Sequence, residues 1–250
     1  MDKIIKLPIT LGVLTYNAPE TLKHTLNSYK EKGILDACAD KIICIQDSPK
    51  KQEELDIVLS YSKDRVFPIV LKDNKWIGKG FREIVEHSDQ DYILLLENDF
   101  ACYDDDTWKY LHAAQCLLFY NRANVVRFRS QKNPGYPLYS DHLQGRELSC
   151  PTHLAECLHW NDNPAISFPE YCKKETLFGV DFFLFKAANA NFTNNPCMFK
   201  KEFYKQYIYP FCIDDEDIET RITNEHYWAN TKFQVANCKG LFTHDRKDGK

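Results

Sequence analysis

The chain has 250 residues, a formal net charge of −4, and hydrophobic residues at 44 % of its positions. A chain of this length and composition can bury a core, and it forms one large domain or two small ones. The slightly acidic balance and the lack of a basic run argue against a nucleic-acid partner. Because there is no apolar stretch of 18 residues and no hydrophobic signal core, we expect a cytoplasmic protein without a transmembrane segment.

Ten cysteines are scattered through the sequence without a CxxC pair. In a cytoplasmic protein this pattern favours reduced thiols over disulfides. Cys150, His153, Cys157 and His159 have the chemistry of zinc ligands, but their spacing matches no common zinc motif. We therefore interpret them as buried thiols and loop histidines.

In the first half of the chain, apolar segments that end in polar residues alternate with helical patterns. The predicted strands are 9–17, 41–47, 66–71 and 91–97. The predicted helices are 19–33, about 51–63 and about 79–88, and the last is preceded by a glycine-bearing loop over 73–80. This alternation is typical of a parallel sheet flanked by helices, and so of an α/β fold.

The pattern becomes less regular after residue 130, where proline, glycine and histidine are frequent. Loops with one or two short strands are predicted over 130–175. The other predicted elements are a helix over about 107–121, a strand over 124–129, a strand over 176–187, a helix over about 199–209, a helix within 212–229 and a strand pair over 233–242. We interpret the change near residue 130 as the junction of two halves of a single domain, 1–250.

Polar side chains follow several of the predicted strands. Thr15 and Asn17 lie at the end of the first strand, Asp47 at the end of the second, Glu97-Asn98-Asp99 at the end of the fourth, and His244 just after the last. The carboxyl ends of parallel strands meet at one edge, where open α/β sheets bind ligands. Carboxylates with a histidine suit Mg²⁺ or Mn²⁺, whose coordination is usually completed by phosphate oxygens. The sequence therefore predicts a divalent cation and a phosphorylated ligand at this edge.

This ordered set of motifs resembles the GT-A fold glycosyltransferases, and is similar to the inverting, family-2-like members, including those encoded by large DNA viruses. The motifs that carry the resemblance are Thr15-Tyr16-Asn17, Asp47, Asn74 to Gly78, Glu97-Asn98-Asp99, Glu216-Asp217 and His244. The resemblance covers nearly the whole chain and is firmest over 9–100 and 194–246. It implies a Rossmann-like, mostly parallel sheet flanked by helices, with residues 1–130 binding a nucleotide sugar. Residues 131–250 would form a smaller mixed region that binds the acceptor and carries the catalytic base.

The resemblance also implies roles for single residues at the donor. Thr15 and Asn17 are expected to lie against the nucleotide of a UDP-sugar, and Asp47 is expected to hydrogen-bond its base, typically uracil. The other residues expected beside the nucleotide are Trp76, Gly78, Lys79 and Asn98.

The metal and the catalytic base are implied in the same way. Asp99 is the principal metal ligand, and His244 joins it. Glu97, which takes the first place of an Asp-x-Asp motif, is expected at the sugar or ribose, or at the metal through water. The base is expected in the Glu216-Asp217 pair, at Asp217, with Asp215 as the near competitor.

The implied reaction moves a hexosyl or pentosyl group from a nucleotide diphosphate to a hydroxyl of a glycan or glycoconjugate. A metal neutralises the charge on the departing diphosphate, and a carboxylate on the opposite face of the sugar removes the acceptor proton. Arg246 and Lys247 are candidates for a charged lid over the diphosphate, and Trp160 offers an indole to a sugar face.

Two other functions stay open. One is a nucleotidyltransferase that makes the sugar nucleotide, against which the glycine-free segment 15–19 counts. The other is a non-catalytic module that binds nucleotides or carbohydrates.

Overall fold

A computed structural model describes residues 5–135, 154–213, 217–224 and 227–248. Its first half is a parallel sheet with helical crossovers. The strands are β1 (Leu7–Thr15), β2 (Cys38–Ile45), β3 (Val66–Val70) and β4 (Tyr92–Glu97). The connecting helices are α1 (Pro19–Glu31), the short α2 (Ile34–Ala37), α3 (Lys51–Ser60) and α4 (Trp76–His87). The four strands lie in the order β3-β2-β1-β4, which confirms the predicted α/β pattern.

Two apolar clusters pack on the faces of this sheet. Because side chains alternate along a strand, β1 contributes Leu11 and Val13 to the cluster that holds α1, and Leu14 to the cluster that holds α4. A strand buried on both faces reads as an unbroken apolar run, which is the pattern of β4, and in β1 the buried Thr10 interrupts that run. The polar residues that follow each run therefore lie just beyond the core, at the edge of the sheet.

The second half extends the sheet with mixed strand directions. Its strands are β5 (Phe100–Cys102), β6 (Val125–Arg129), β7 (Cys172–Leu177), β8 (Val180–Lys186), β9 (Cys197–Lys200) and β10 (Gln234–His244). Its helices are α5 (Thr107–Phe119), α6 (Leu154–Trp160), α7 (Pro164–Ser167), α8 (Lys201–Tyr207) and α9 (Ile218–Asn224). Beyond β4 the order continues β9-β6-β10-β8-β7, and β5 pairs with the end of β10. Within the described ranges, no helix is long and apolar enough to cross a membrane.

Several predicted boundaries are wrong. Helix α4 begins at Trp76, so Gly78 and Lys79 lie in its first turn and not in a loop. The strand predicted over 176–187 is a hairpin, because Phe178 and Gly179 both adopt positive φ and reverse the chain. The strand β9 precedes α8, and the predicted pair over 233–242 is the single strand β10. Part of 130–175 forms α6 and α7, while 136–153 lies outside the described residues.

Candidate active site

The carboxyl ends of the parallel strands surround a cavity of about 370 Å³. Since β2, β1 and β4 are parallel neighbours, Gln46, Thr15 and Glu97 reach the same edge of the sheet. The residues that line the cavity are Leu14, Thr15, Tyr16, Gln46, Asn74, Trp76, Ile77, Glu97, Asn98, Asp99 and Arg246. Five of the predicted site residues are among them, so the structure brings much of the predicted constellation to one place.

Asp99 and His244 form a close pair beside this cavity. His244 Nε2 lies 3.1 Å from Asp99 Oδ2. The pairing follows from strand register: β5 and β10 are antiparallel with Phe100 opposite His244, and the Asp245 N–H donates to the Asp99 carbonyl at 2.7 Å. Asp99 is buried, and its Oδ1 has no hydrogen-bond partner among the residues described.

This pair fits a divalent cation. A buried carboxylate oxygen without a partner is costly unless a cation or donor meets it, and imidazole nitrogen and carboxylate oxygen both bind Mn²⁺. Among the described side chains, no group of three or more His, Cys, Asp and Glu is placed to hold a metal. The described residues would therefore supply two ligands and leave positions for phosphate oxygens, as is usual for such ions.

Glu97 adds a second acid to the cavity. Burial raises its pKa to about 8, and the Asp99, Glu219 and Asp217 carboxylates act in the same direction, while Arg246 opposes them. Glu97 is half-buried at the end of β4. Glu97 and Asp99 thus line the same cavity, where a cation would favour the ionised form of Glu97.

Thr15 and Asn98 line the cavity, but their polar atoms are bonded to each other. Asn98 Nδ2 donates to Thr15 Oγ1 at 2.9 Å, and Thr15 Oγ1 donates to Glu54 Oε1 at 2.5 Å. Glu54, on α3, also accepts a hydrogen bond from the Ala18 N–H at 3.0 Å. These residues tie the ends of β1 and β4 together below the cavity.

Glu54 was missed by the sequence reasoning. It is fully buried on a helix whose sequence, Lys-Gln-Glu-Glu-Leu-Asp, is mainly polar. Burial raises the pKa of Glu54, and the hydrogen bonds from Thr15 and Ala18 offset part of that shift. A carboxyl group in this setting stays protonated to a higher pH than usual.

The strand end of β2 presents Gln46 to the cavity. Gln46 Oε1 accepts a hydrogen bond from the Lys75 N–H at 2.7 Å. Since an N–H must face an oxygen, the side-chain amide group of Gln46 is oriented by this bond. Asp47, the predicted base contact, forms an ion pair with Lys51 on α3.

The predicted nucleotide residues on α4 have different surroundings. Trp76 has an exposed indole that lines the cavity, and its φ of 57° places it in the left-handed region. Gly78 is buried, and a Cβ there would lie 3.3 Å from Cys212 Cα. Lys79 follows in the same helical turn. Gly78 thus lets α4 pack closely on the second half of the chain.

Asn17 lies at the turn between β1 and α1, with a φ of 54°. Its Oδ1 is buried and has no hydrogen-bond partner in the described part of the chain. An asparagine tolerates this backbone region better than most residues do. The neighbouring Tyr16, which is largely exposed, lines the cavity.

Of the candidate catalytic bases, only Asp217 lies within the described residues, and it caps a helix. Its Oδ2 accepts hydrogen bonds from Thr220 N–H and Thr220 Oγ1, both at 2.8 Å, at the start of α9. Asp215 and Glu216 lie outside the described residues. Two residues after Asp217, Glu219 accepts a hydrogen bond from the Asn194 N–H, and burial raises its pKa.

The segment after β10 is bound to α1. Asp245 Oδ2 lies 2.9 Å from His24 Nε2, and Asp248 Oδ2 accepts the Thr21 N–H at 2.8 Å. Lys247 bonds to Asp245 through its side chain and to Thr21 Oγ1 through its N–H. Arg246, between these anchored residues, lines the cavity.

The zinc alternative has little support from the described members of its cluster. Cys157 and His159 lie on α6, where both are buried, while Cys150 and His153 lie outside the described residues. Burial and the Arg127 and Arg129 guanidinium groups hold the pKa of His159 well below its usual range. Its Nδ1 lies 3.4 Å from Asn237 Nδ2.

Solved structures of low sequence identity share this architecture. Staphylococcus aureus TarS 1-349 in complex with UDP-GlcNAc is 14 % identical with a TM-score of 0.62, over 98 % of this chain and 60 % of that one. The mannosyltransferase PcManGT from Pyrobaculum calidifontis, in complex with GDP-Man and Mn²⁺, is 11 % identical with a TM-score of 0.56, over 95 % and 57 %. At these identities the likeness establishes the fold. The chain spans about 60 % of the length of the TarS 1-349 chain.

The sequence profile of glycosyl transferase family 2 matches residues 10–135, just over half of the chain. The chain therefore belongs to glycosyl transferase family 2, which confirms the family-2-like resemblance. The matched range includes most of β1, all of β2 to β4 and the Glu97-Asn98-Asp99 segment, and so covers most of the cavity wall. No curated protein sequence matches the chain.

Proposed function

We propose that this chain is a metal-dependent, inverting glycosyltransferase that moves a sugar from a nucleotide-diphosphate donor, a UDP-sugar, to a hydroxyl of a glycan or glycoconjugate. The observation that carries the proposal is the Asp99–His244 pair, with a buried carboxylate oxygen, beside the cavity at the edge of a family-2 sheet. The complexes of TarS with UDP-GlcNAc and of PcManGT with GDP-Man support a nucleotide sugar as the donor class.

The cavity walls provide contacts for the donor nucleotide. The exposed Trp76 indole is a stacking surface for a base, and Gln46 Nε2 is a donor for a base carbonyl because Oε1 is held by Lys75. A uracil or a guanine carries such a carbonyl. The expected contact from Asp47 stays a prediction, and Thr15, Asn17 and Asn98 would shape the floor beneath the nucleotide.

Asp99 and His244 would hold Mn²⁺ or Mg²⁺. When bound, the cation neutralises the negative charge that develops on the departing diphosphate. Arg246 lines the same cavity and supplies a further positive charge for phosphate oxygens. Glu97 would contact the sugar or ribose, or the metal through water.

The second half would bind the acceptor and carry the base. A carboxylate of the run 215–217 would take the proton of the acceptor hydroxyl as the oxygen attacks the anomeric carbon, which inverts that centre. Asp217 lies near enough to Glu97 to raise its pKa, which supports this run as a neighbour of the sugar. Since the Asp217 carboxylate also caps α9, Asp215 is the alternative base.

The first test is a screen of UDP- and GDP-sugars for thermal stabilisation with and without Mn²⁺. A donor at about 100 times its dissociation constant stabilises by about 2.7 kcal/mol, and we expect that effect to require the metal. Stabilisation of equal size without Mn²⁺ would contradict Asp99 and His244 as ligands. Product analysis with the stabilising donor then establishes transfer and the anomeric configuration.

The two alternatives predict different outcomes in the same assays. A nucleotidyltransferase would release pyrophosphate from a nucleoside triphosphate and a sugar 1-phosphate. A binding module would be stabilised by the donor without turnover, and Asp215→Asn and Asp217→Asn would leave donor binding unchanged. We expect neither pattern.

Several expectations stay predictions. They are the cytoplasmic location, the absence of nucleic-acid partners, the likeness to viral members, and the single domain with a donor half, 1–130, and an acceptor half, 131–250.

A further inference from the structure

Arg129, at the end of β6, is buried and spans two loops. Its Nε donates to the Pro134 carbonyl at 3.0 Å, and its Nη1 donates to Asn195 Oδ1 at 3.0 Å. Only 4 % of the residue is exposed. A buried guanidinium group fixes the position of the groups it bonds, because its donors form a rigid planar fork.

The Pro134 carbonyl connects Arg129 to the backbone of His244. The same oxygen accepts the His244 N–H at 3.2 Å. The following residue, Gly135, pairs with His244, and a Cβ at Gly135 would lie 1.9 Å from the His244 oxygen. The turn that Arg129 holds therefore lies directly against the backbone of His244.

Arg129 also contacts the ring that packs on the His244 side chain. Its guanidinium carbon lies 5.8 Å from the Phe100 ring centre, and the Phe100 ring meets the His244 imidazole edge-on at 5.2 Å. The Trp160 ring centre is 5.6 Å from the same guanidinium carbon. Arg129 thus lies between Trp160 on α6 and the ring next to the Asp99–His244 pair.

The charge of Arg129 is maintained in this setting. Burial lowers the pKa of Arg129 to about 10, and the Asp99 carboxylate acts in the opposite direction. The group is therefore protonated at neutral pH and within electrostatic range of Asp99.

We propose that Arg129 is a positioning residue that orients His244 toward Asp99, and so sets the affinity of this pair for a divalent cation. Through Trp160 and Asn195 it also joins that pair to the second half of the chain. This inference rests on the metal site of the proposed function, and it assigns Arg129 a supporting role for that site.

Arg127 is the matched control. It lies two residues earlier on β6, is equally buried with 3 % exposed, and donates a hydrogen bond to the Asn191 carbonyl. Replacing either arginine with methionine removes a buried cation from the same strand. Arg127→Met therefore measures how much Mn²⁺ affinity changes when a buried cation is lost from β6. Only Arg129→Met also removes the hydrogen bond to the Pro134 carbonyl and the contact with the Phe100 ring.

The experiment measures Mn²⁺ affinity directly, by electron paramagnetic resonance of free Mn²⁺, in the presence of UDP. Arg129→Met is expected to weaken Mn²⁺ binding by about 10- to 100-fold, the range found when residues that orient metal ligands are removed. Arg127→Met is expected to stay within about twofold of the wild type. Wild-type affinity in Arg129→Met, or equal weakening in both variants, would overturn the role of Arg129.

Arg129→Lys covers the case in which the methionine variant does not fold. It keeps the charge but lacks the fork that bonds Pro134 and Asn195 together, so weaker Mn²⁺ binding with an unchanged melting temperature supports positioning. Wild-type Mn²⁺ affinity in a folded Arg129→Lys would contradict it. If the wild-type chain bound UDP but no Mn²⁺, the metal site of the proposed function would be refuted. If the wild type and the variant bound Mn²⁺ equally well, only the positioning role of Arg129 would be refuted.

Discussion

The two halves of the molecule place their functional side chains in different ways. In the parallel half, each site residue lies at the end of its own strand, so Thr15, Gln46 and Glu97 reach the cavity through local connections. In the mixed half, His244 reaches Asp99 only because β10 crosses the sheet and pairs with β5. The cavity wall of the parallel half is therefore determined strand by strand, whereas the Asp99–His244 pair depends on long-range register.

The largest expected effect on activity is that of a substitution at Asp99, where the two halves of the molecule meet. Asp99→Asn removes the charge that pairs with His244, and we expect kcat/KM to fall by at least about 100-fold, with loss of Mn²⁺-dependent donor binding. Asp105→Asn is the control, because Asp105 is 85 % exposed and pairs with Lys32 on the surface. Full activity in Asp99→Asn would show that the metal pair is not part of the reaction.

The second prediction tests the register of β10. Gly240 has a φ of +81°, and a Cβ there would lie 2.2 Å from the Arg129 carbonyl, where the pairing of β10 with β6 is irregular. Gly240→Ala should lower the free energy of unfolding by about 3 kcal/mol and displace His244, so that activity needs more Mn²⁺. Denaturant unfolding and a Mn²⁺ titration of activity measure both effects.

Gly33→Ala is the matched control for that change. Gly33 has a φ of +77°, but the nearest atom to an added Cβ is 3.8 Å away. This variant should cost about 1 kcal/mol through backbone strain alone and leave the Mn²⁺ requirement unchanged. If both substitutions changed the free energy of unfolding and the Mn²⁺ requirement equally, the register of β10 would not depend on Gly240.

The third prediction concerns Glu54 beneath the donor side. Because burial raises its pKa, the folded protein keeps a proton on Glu54 that the unfolded chain loses above about pH 4.5. The free energy of unfolding should therefore fall as the pH rises from about 4.5 to the raised pKa, by up to about 1.4 kcal/mol per pH unit. Glu54→Gln should remove this fall, and parallel stability curves for the two proteins between pH 4 and 8 would contradict the assignment.

The smallest expected effect is on the KM for the donor, and it distinguishes Gln46 from its neighbour Asp47 at the end of β2. Gln46→Ala should raise the KM for the donor about tenfold, as expected for one lost hydrogen bond, while Asp47→Ala should change it by less than about twofold. Steady-state kinetics with one UDP-sugar measures both. The reverse order would show that Asp47 binds the base, as the family resemblance implies.

The sequence allowed the parallel half to be predicted because its signals are local. Buried apolar runs that end in polar residues identify strand ends, and this placed Glu97 and Asp99 correctly at the edge of the sheet. Successive side chains of a strand point in opposite directions, and a pattern of residues alone does not show that Gln46 lines the cavity beside the predicted Asp47. No periodic signal marks Glu54, since a buried acid on a polar helix has the pattern of an exposed one.

The mixed half was less predictable because its pairings join distant segments. The pairing of His244 with Phe100, and the bonds of Arg129 to Pro134 and Asn195, depend on contacts that no local window of sequence contains. The family resemblance suggested His244 and Asp99 together, and the structure supplies the strand register that joins them. The role of Arg129 emerges only from the structure.

The segment after β10 has a consequence for how the protein unfolds. The Ala18 side chain cannot cap α1, and the Thr21 N–H is satisfied by Asp248, 227 positions along the chain. The first helix therefore lacks a partner for that amide whenever the end of β10 detaches, although its local sequence is intact. Exchange of the Thr21 amide with solvent should thus occur when the segment after β10 opens, so this single proton reports whether that segment is bound to α1.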